Sequence, residues 1–179
     1  RCGEYFCRRD SALVMLGDNI FHPTDILEIK NVCDQVKQNV RATPKVKFGA
    51  HIWTTTSNNP SAYGVLTVDD SGKPIKIEEK PENPSSNLII TGVYLFDCQA
   101  WDIIPHLQKS DRGEYEITDI LKTYLERGQL HCHELLAEWF DVGGSIDDYW
   151  LVTGAMRDIK CTFWSQERED LSGVPLSDH

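Results

Sequence analysis

No apolar run in this 179-residue chain approaches the ~18 residues of a membrane-spanning helix. The longest, Ala12 to Leu16, is the size of a strand. No hydrophobic stretch follows the opening Arg1-Cys2-Gly3-Glu4, so no secretory leader is read there, and no membrane partner is expected. The chain also does not open on Met, which points to a natural start elsewhere. Base is scarce: 18 Lys and Arg stand against 28 Asp and Glu, a net charge of −10. Nucleic-acid binders carry a clustered basic surface, so that class is excluded. A small anionic ligand is not, because a few local bases and a bound metal can dominate one pocket.

Cys-x-x-Cys pairs are missing too. Six cysteines stand at 2, 7, 33, 98, 132 and 161, and the expectation is reduced, packed thiols in a cytoplasmic protein. His131-Cys132-His133 has the look of a metal motif, but Gln129 to Leu135 reads as a strand. Only His131 and His133 then share a face, no third ligand is evident, and no zinc site is expected. Internal repeats and dividing linkers are absent as well. What is present, 40% hydrophobic and 26% charged residues, suits one soluble globular domain.

Ala12 to Leu16 reads as a strand buried on both faces, stopped by the turn-forming Gly17-Asp18-Asn19. After Pro23, Asp25 and Glu28 can form a capping box, and Ile26, Ile29, Val32, Cys33, Val36 and Val40 follow helical spacing. Val46, Phe48, Ala50 and Ile52 alternate as in a strand, and a loop is read from Thr54 to Ala62. Gly64 to Val68 and Pro74 to Ile77 flank Asp69-Asp70-Ser71-Gly72, a hairpin signal. Leu88 to Phe96 is a further apolar strand. A short helix carries Trp101, Ile104 and Leu107, and a clearer one runs through Ile117, Ile120, Leu121, Tyr124 and Leu125 to Gly128. Ser145 and Asp148 form a second capping box before the stripe Ile146, Tyr149, Val152, Met156 and Ile159. The order β-α-β-β-β-β-α-α-β-β-α indicates an α/β layered fold with a mixed sheet.

In open α/β sheets, ligands bind beyond the carboxyl ends of strands. Asp18 sits at such an end, where it could hold a hard cation such as Mg²⁺ or simply cap a turn. Asp141 lies between Trp139-Phe140 and Gly143-Gly144, a pair that permits close approach of a ligand or merely a tight turn. The two aspartates are 123 positions apart, and spacing alone cannot pair them. In Glu78-Glu79-Lys80-Pro81, alternation sends Glu79 and Lys80 to opposite faces: Lys80 could hold a phosphate and Glu79 sugar hydroxyls, or both could be solvated. Arg112, read as preceding the strongest helix, is a second phosphate candidate or a surface Arg.

Seven segments taken together resemble the sugar-1-phosphate nucleotidylyltransferase family, and within it the glucose-1-phosphate thymidylyltransferases. They are Leu16-Gly17-Asp18-Asn19-Ile20-Phe21, Tyr63-Gly64-Val65, Glu78-Glu79-Lys80-Pro81, Pro84-x-Ser86-Asn87, Thr91-Gly92-Val93-Tyr94-Leu95-Phe96-Asp97, Arg112-Gly113-Glu114-x-Glu116-Ile117-Thr118-Asp119 and Trp139-Phe140-Asp141-Val142-Gly143. They keep the family's order and compatible spacing from about residue 4 to residue 157.

The resemblance implies a Rossmann-like fold with a mixed, mostly parallel sheet. It also implies a reaction in which a sugar-1-phosphate oxygen attacks the α-phosphorus of dTTP or UTP, giving a nucleotide sugar and pyrophosphate. Such transfers demand positioning and charge neutralisation. By the matching motifs Asp18 and Asp141 would hold Mg²⁺, and Lys80 and Arg112 would bind the sugar phosphate. Tyr63, Gly64, Glu79, Ile90 and Tyr94 would line the sugar site. Partners are then a sugar-1-phosphate such as glucose-1-phosphate, a nucleoside triphosphate, and further copies of the chain in a dimer or tetramer.

Two departures accompany the match. The family's Gly-rich signature, which grips the triphosphate, does not occur. Residues 4–10 read as the end of the helix before the Leu-Gly-Asp-Asn strand. Residues 1–165 are therefore expected to be the later two-thirds of an N-terminally truncated domain, with 166–179 a polar tail and little turnover from the 179 residues alone. Val142 and Gly144 also stand where thymidylyl members have Thr, which leaves base and sugar unassigned. The alternative is an inactive remnant or regulatory module that binds sugar phosphate only.

Overall fold

A computed structural model describes residues 7, 10–42, 47–143, 150 and 152–154. The Ser145–Asp148 capping box, Val46, Gly144 and the expected tail at 166–179 lie outside the described residues. The elements are β1 (Ala12–Met15), β2 (Asn19–Phe21), α1 (Pro23–Ala42), β3 (Ala50–Thr56), β4 (Gly64–Val68), β5 (Pro74–Glu79) and β6 (Leu88–Phe96). They continue with α2 (Ala100–Ile103), α3 (Ile117–Glu126), β7 (Leu130–Glu134) and β8 (Trp139–Asp141).

The main sheet runs β5-β4-β6-β3-β7, with β1 also on β6, and β2 pairs with β8 in a separate ribbon. The sheet is mixed, as the sequence led us to expect. Among the described strands, however, only β3 and β7 run parallel, while β1–β6, β3–β6, β4–β5 and β4–β6 are antiparallel. The expectation of a mostly parallel sheet does not hold for them. The connections explain it: β4 and β5 are joined by the Asp69–Gly72 turn, with Gly72 at φ 80° and Asp69 N–H donating to Lys73 O at 2.8 Å.

Strand β6 organises the molecule. Its even side chains Ile90, Tyr94 and Phe96 join Ile52, Leu66, Ile120, Leu121 and Tyr124 in one core under α2 and α3. Its odd side chains Val93 and Leu95 join Trp53, Ile29, Val32 and Val36 in a second core under α1. Two faces, each covered by helix, make three layers.

One edge of β6 is shared. β3 takes one edge along both halves of β6, so β4 (Val65 opposite Ile89) and β1 (Met15 to Ala12 opposite Val93 to Phe96) must divide the other. Residues 90–92 lie in the fork between them. There Gly92 C=O accepts from Leu16 N–H at 2.8 Å, in line with β1.

Several local readings change. β1 is not buried on both faces: Leu13 and Met15 are 45% exposed, because α1 covers β3 and β6 and leaves β1's share of that face open. The buried stripe of α1 is Asp25, Ile29, Val32 and Val36, while Ile26 faces outward. Asp25 is not a cap. Its carboxylate accepts from Leu136 N–H at 2.8 Å and Ala137 N–H at 3.3 Å, tying the β7–β8 connection to α1. Phe48 precedes β3, which takes the first three residues of the expected loop and ends at Thr56. Arg112 lies five residues ahead of α3, in a turn where Gly113 takes φ 78°.

Candidate functional site

The fork in β6 opens into a cavity of about 240 Å³ whose walls come from strands distant in sequence. Asp18, Tyr63, Gly64, Glu79, Lys80, Ile90, Tyr94 and Asp141 all line it, eight of the nine residues singled out in the sequence. The ninth, Arg112, stands at the rim, its guanidinium 3.5 Å from the Glu79 carboxylate.

The ladder between β2 and β8 pairs Asn19 with Asp141, and Val142 N–H donates to Asp18 C=O at 2.8 Å. Two aspartates 123 positions apart thereby become neighbours. Gly143 measures how closely. A Cβ there would come within 2.7 Å of Asp18 Oδ2 and 3.3 Å of Asp141 Oδ1, so both carboxylates close over a space that only glycine leaves free. Asp141 Oδ1 accepts from Gly143 N–H at 3.0 Å, and Asp18 Oδ1 accepts from Asn19 Nδ2 at 2.8 Å. Each carboxylate is thus tethered at one oxygen, and the other makes no hydrogen bond or ion pair among the described residues.

This arrangement fits a hard divalent cation. Mg²⁺ takes oxygen ligands and is usually held by one or two carboxylates, the rest being water and phosphate. Among the described residues no group of three or more His, Cys, Asp or Glu side chains is placed to hold a metal, so two carboxylates would leave the other positions to ligand and water.

Opposite the aspartates stands the β4–β5 hairpin. Its register places Gly64 across from Glu79, and Lys80 N–H donates to Tyr63 C=O at 3.0 Å, continuing the ladder one step. Lys80 adopts φ 39°, in the left-handed region disfavoured for a side-chain-bearing residue, a strain typical of sites where the backbone is held for a purpose. Its side chain is exposed and makes no ion pair among the described residues. Glu78, pointing the other way, is occupied by Lys76 at 2.8 Å and Ser85 at 2.7 Å, which separates its task from that of Glu79. Arg112 also meets Glu114 at 2.7 Å and Glu116 at 4.0 Å. Three carboxylates therefore hold a cation beside the cavity.

The remaining wall carries Tyr63, Gly64, Ile90, Tyr94 and Thr118. Burial, reinforced by the charges of Glu79 and Asp18, pushes the Tyr94 phenol far above its ordinary range, so it stays a neutral hydrogen-bond donor. Gly64 is tight: a Cβ there would meet Thr118 Cγ2 at 3.0 Å, with Glu79 and Ile90 behind at 3.6 Å. Tyr63 sets its ring edgewise against Trp139 with centroids 5.5 Å apart.

Sequence reasoning missed Asn19, Trp139 and Thr118, which share the cavity wall. Asn19 stands in the turn-forming trio and in a quoted motif, as Trp139 stands in another, but neither carries a role there. Thr118 was inside a quoted motif, and its hydroxyl is buried without a hydrogen-bond partner in the described structure. A third histidine was also missed: β3 pairs in parallel with β7, setting His51 beside His131, and His51 Nδ1 lies 2.9 Å from His133 Nε2. The His51 ring stacks on both of the others.

Comparison with known proteins identifies the family and the fold. The family model described as "Nucleotidyl transferase" matches residues 2–158. A glucose-1-phosphate thymidylyltransferase of Xanthomonas campestris pv. campestris (strain B100) is 38% identical over 143 residues, 79% of this chain and 45% of that protein. One from Mycolicibacterium smegmatis is 40% identical over 137 residues, covering 75% and 43%. The chain therefore spans less than half the length of these relatives. A crystal structure from Bacillus anthracis, described as a glucose-1-phosphate thymidylyltransferase in complex with a sucrose, superposes with a TM-score of 0.71 at 33% identity, over 88% of this chain and 58% of that one. An apo UDP-glucose pyrophosphorylase shares the fold, with a TM-score of 0.70 at 20% identity, over 88% and 58%.

Proposed function

Since the chain belongs to the nucleotidyl transferase family, we propose that it forms the sugar-phosphate and metal half of a sugar-1-phosphate nucleotidylyltransferase. The reaction is transfer of a nucleotidyl group from dTTP or UTP to glucose-1-phosphate, giving a nucleotide sugar and releasing pyrophosphate. One observation carries this reading: Asp18 and Asp141 converge across the β2–β8 ribbon on the cavity that also holds Glu79 and Lys80.

In this reading Asp18 and Asp141 hold Mg²⁺, which when bound supplies charge neutralisation for the phosphates. Lys80 binds the sugar phosphate as a point charge, and Arg112 as a planar fork that leaves Glu79 for it. Glu79, released from that pair, accepts from sugar hydroxyls. The neutral phenol of Tyr94 donates to the sugar, Gly64 admits the ring close to the backbone, and Ile90 and Tyr63 cover its apolar edges. The chemistry then needs little beyond alignment, because phosphoryl-type transfer is governed by positioning and electrostatics. The enzyme works as a dimer or tetramer in the cytoplasm.

The test follows pyrophosphate released by the complete gene product with Mg²⁺, glucose-1-phosphate and each nucleoside triphosphate in turn. Turnover with dTTP or UTP supports the reading, and none with any triphosphate refutes it. Calorimetric binding of glucose-1-phosphate without binding of any triphosphate would favour a regulatory module instead. Sedimentation velocity decides the assembly.

A further inference from the structure

We infer that Asn19 is a positioning residue, which aims the Asp18 carboxylate at Asp141 and so assembles the metal-binding pair. The inference rests on the proposal that these two aspartates hold a divalent cation.

The argument starts from the orientation of the Asn19 amide. Its Oδ1 accepts from Gly92 N–H at 3.1 Å and from Trp139 Nε1–H at 2.8 Å. Both partners can only donate, so the atom facing them must be the oxygen. The NH₂ group is thereby forced to the other side, where it donates to Asp18 Oδ1 at 2.8 Å. The three partners belong to β6, to β8 and to the turn before β2. One side chain locks the fork of the main sheet, the ribbon carrying Asp141 and the carboxylate of Asp18 together.

Gly92 supports the same conclusion from the opposite direction. A Cβ on it would lie 2.6 to 2.8 Å from Cγ, Oδ1 and Nδ2 of Asn19. Glycine here leaves room for the amide itself. With Oδ1 of Asp18 held, its Oδ2 is the oxygen turned toward Gly143 and Asp141. Partners that orient metal ligands typically change metal affinity 10–100-fold when removed.

The probe is Mn²⁺, titrated into the full chain and read by loss of the free-ion electron paramagnetic resonance signal. Asn19→Ser should weaken Mn²⁺ binding by about tenfold or more. Gly92→Ala displaces the amide without removing it and should weaken binding similarly, and the double variant should add little to either. Val32→Ala, a cavity in the core under α1, provides the control: it lowers the melting temperature and should leave Mn²⁺ affinity within twofold. If Asn19→Ser and Gly92→Ala both keep wild-type affinity, or lose no more than Val32→Ala does, the positioning role is wrong. A wild type that binds no Mn²⁺ overturns the metal reading of the aspartates, and this inference with it.

Discussion

Val142 donates its backbone N–H to the carbonyl of Asp18 at 2.8 Å, and that bond fixes the register in which Asn19 lies opposite Asp141. The two aspartates are therefore held by backbone pairing as well as by their own side-chain contacts. Register in a short ribbon is sensitive: a slip of one residue would turn Asp141 to the opposite face. Asn19, bonded to Gly92 and Trp139, guards against that slip from both sides.

Replacing either aspartate by Asn tests the pairing. Each neutral amide keeps the shape and an acceptor oxygen, so Asp18→Asn and Asp141→Asn should melt within a few degrees of wild type. Both should lose Mn²⁺ affinity by at least about tenfold, since a ligand matters no less than the groups that orient it. Equal loss from both variants is the signature of one shared ion. If only one variant loses affinity, the two carboxylates do not share it.

How much of this was legible in the sequence depends on the range of the interaction. The pairing of Gly64 with Glu79 follows from a hairpin, whose turn residues sit within the segment they join. The core stripe of α3 follows from helical spacing for the same reason. Asp18 and Asp141 were recognisable singly, by motif, but their meeting depends on a ribbon closed across 123 positions, which no local pattern encodes. His51 escaped attention beside His131 and His133 because the parallel pairing of β3 with β7 is also long-range. Asp25 was misread because capping-box spacing says nothing about the N–H groups of Leu136 and Ala137 that its carboxylate serves. The directions of the strands were misjudged on resemblance, and the fork in β6, from which the cavity opens, is a property of topology alone.

Gly64→Ala should report on the sugar end of the cavity. The added methyl meets Thr118 Cγ2 at 3.0 Å and points between Glu79 and Ile90. It occupies space assigned to the sugar while leaving both aspartates untouched. Calorimetry should show glucose-1-phosphate binding weakened several-fold with Mn²⁺ affinity unchanged. Undiminished sugar-phosphate binding would place the sugar elsewhere.

Asp25→Ala removes a carboxylate that is 1% exposed and accepts two backbone N–H groups. Both donors are then left without their partner, and bonds to a charged group are worth more than neutral ones. The expected loss of stability is about 2–4 kcal/mol, read from urea unfolding midpoints at constant m. A loss below about 1 kcal/mol would mean that the β7–β8 connection does not depend on this anchor.

The stacked histidines predict an acid-side loss of stability. Burial, followed by the neighbouring charges of His131 and His133, lowers the His51 pKa to about 3, against 6.5 when unfolded. His133 is lowered as well, first by burial and then by His131, with Glu28 of α1 opposing. The native state therefore keeps these imidazoles neutral where the unfolded chain protonates them. With a depressed native pKa, the unfolded state binds the extra proton below about pH 6.5, so stability falls as pH drops from there toward 3. Each such proton contributes a slope of about 1.4 kcal/mol per pH unit while the difference lasts. Other groups titrate in the same range, so the comparison is with His51→Gln, which removes one of the two. Thermal melts from pH 7 to pH 4 should show the variant losing stability less steeply than wild type, with the curves converging or crossing toward acid. Parallel curves across that window would show that His51 is protonated equally in both states.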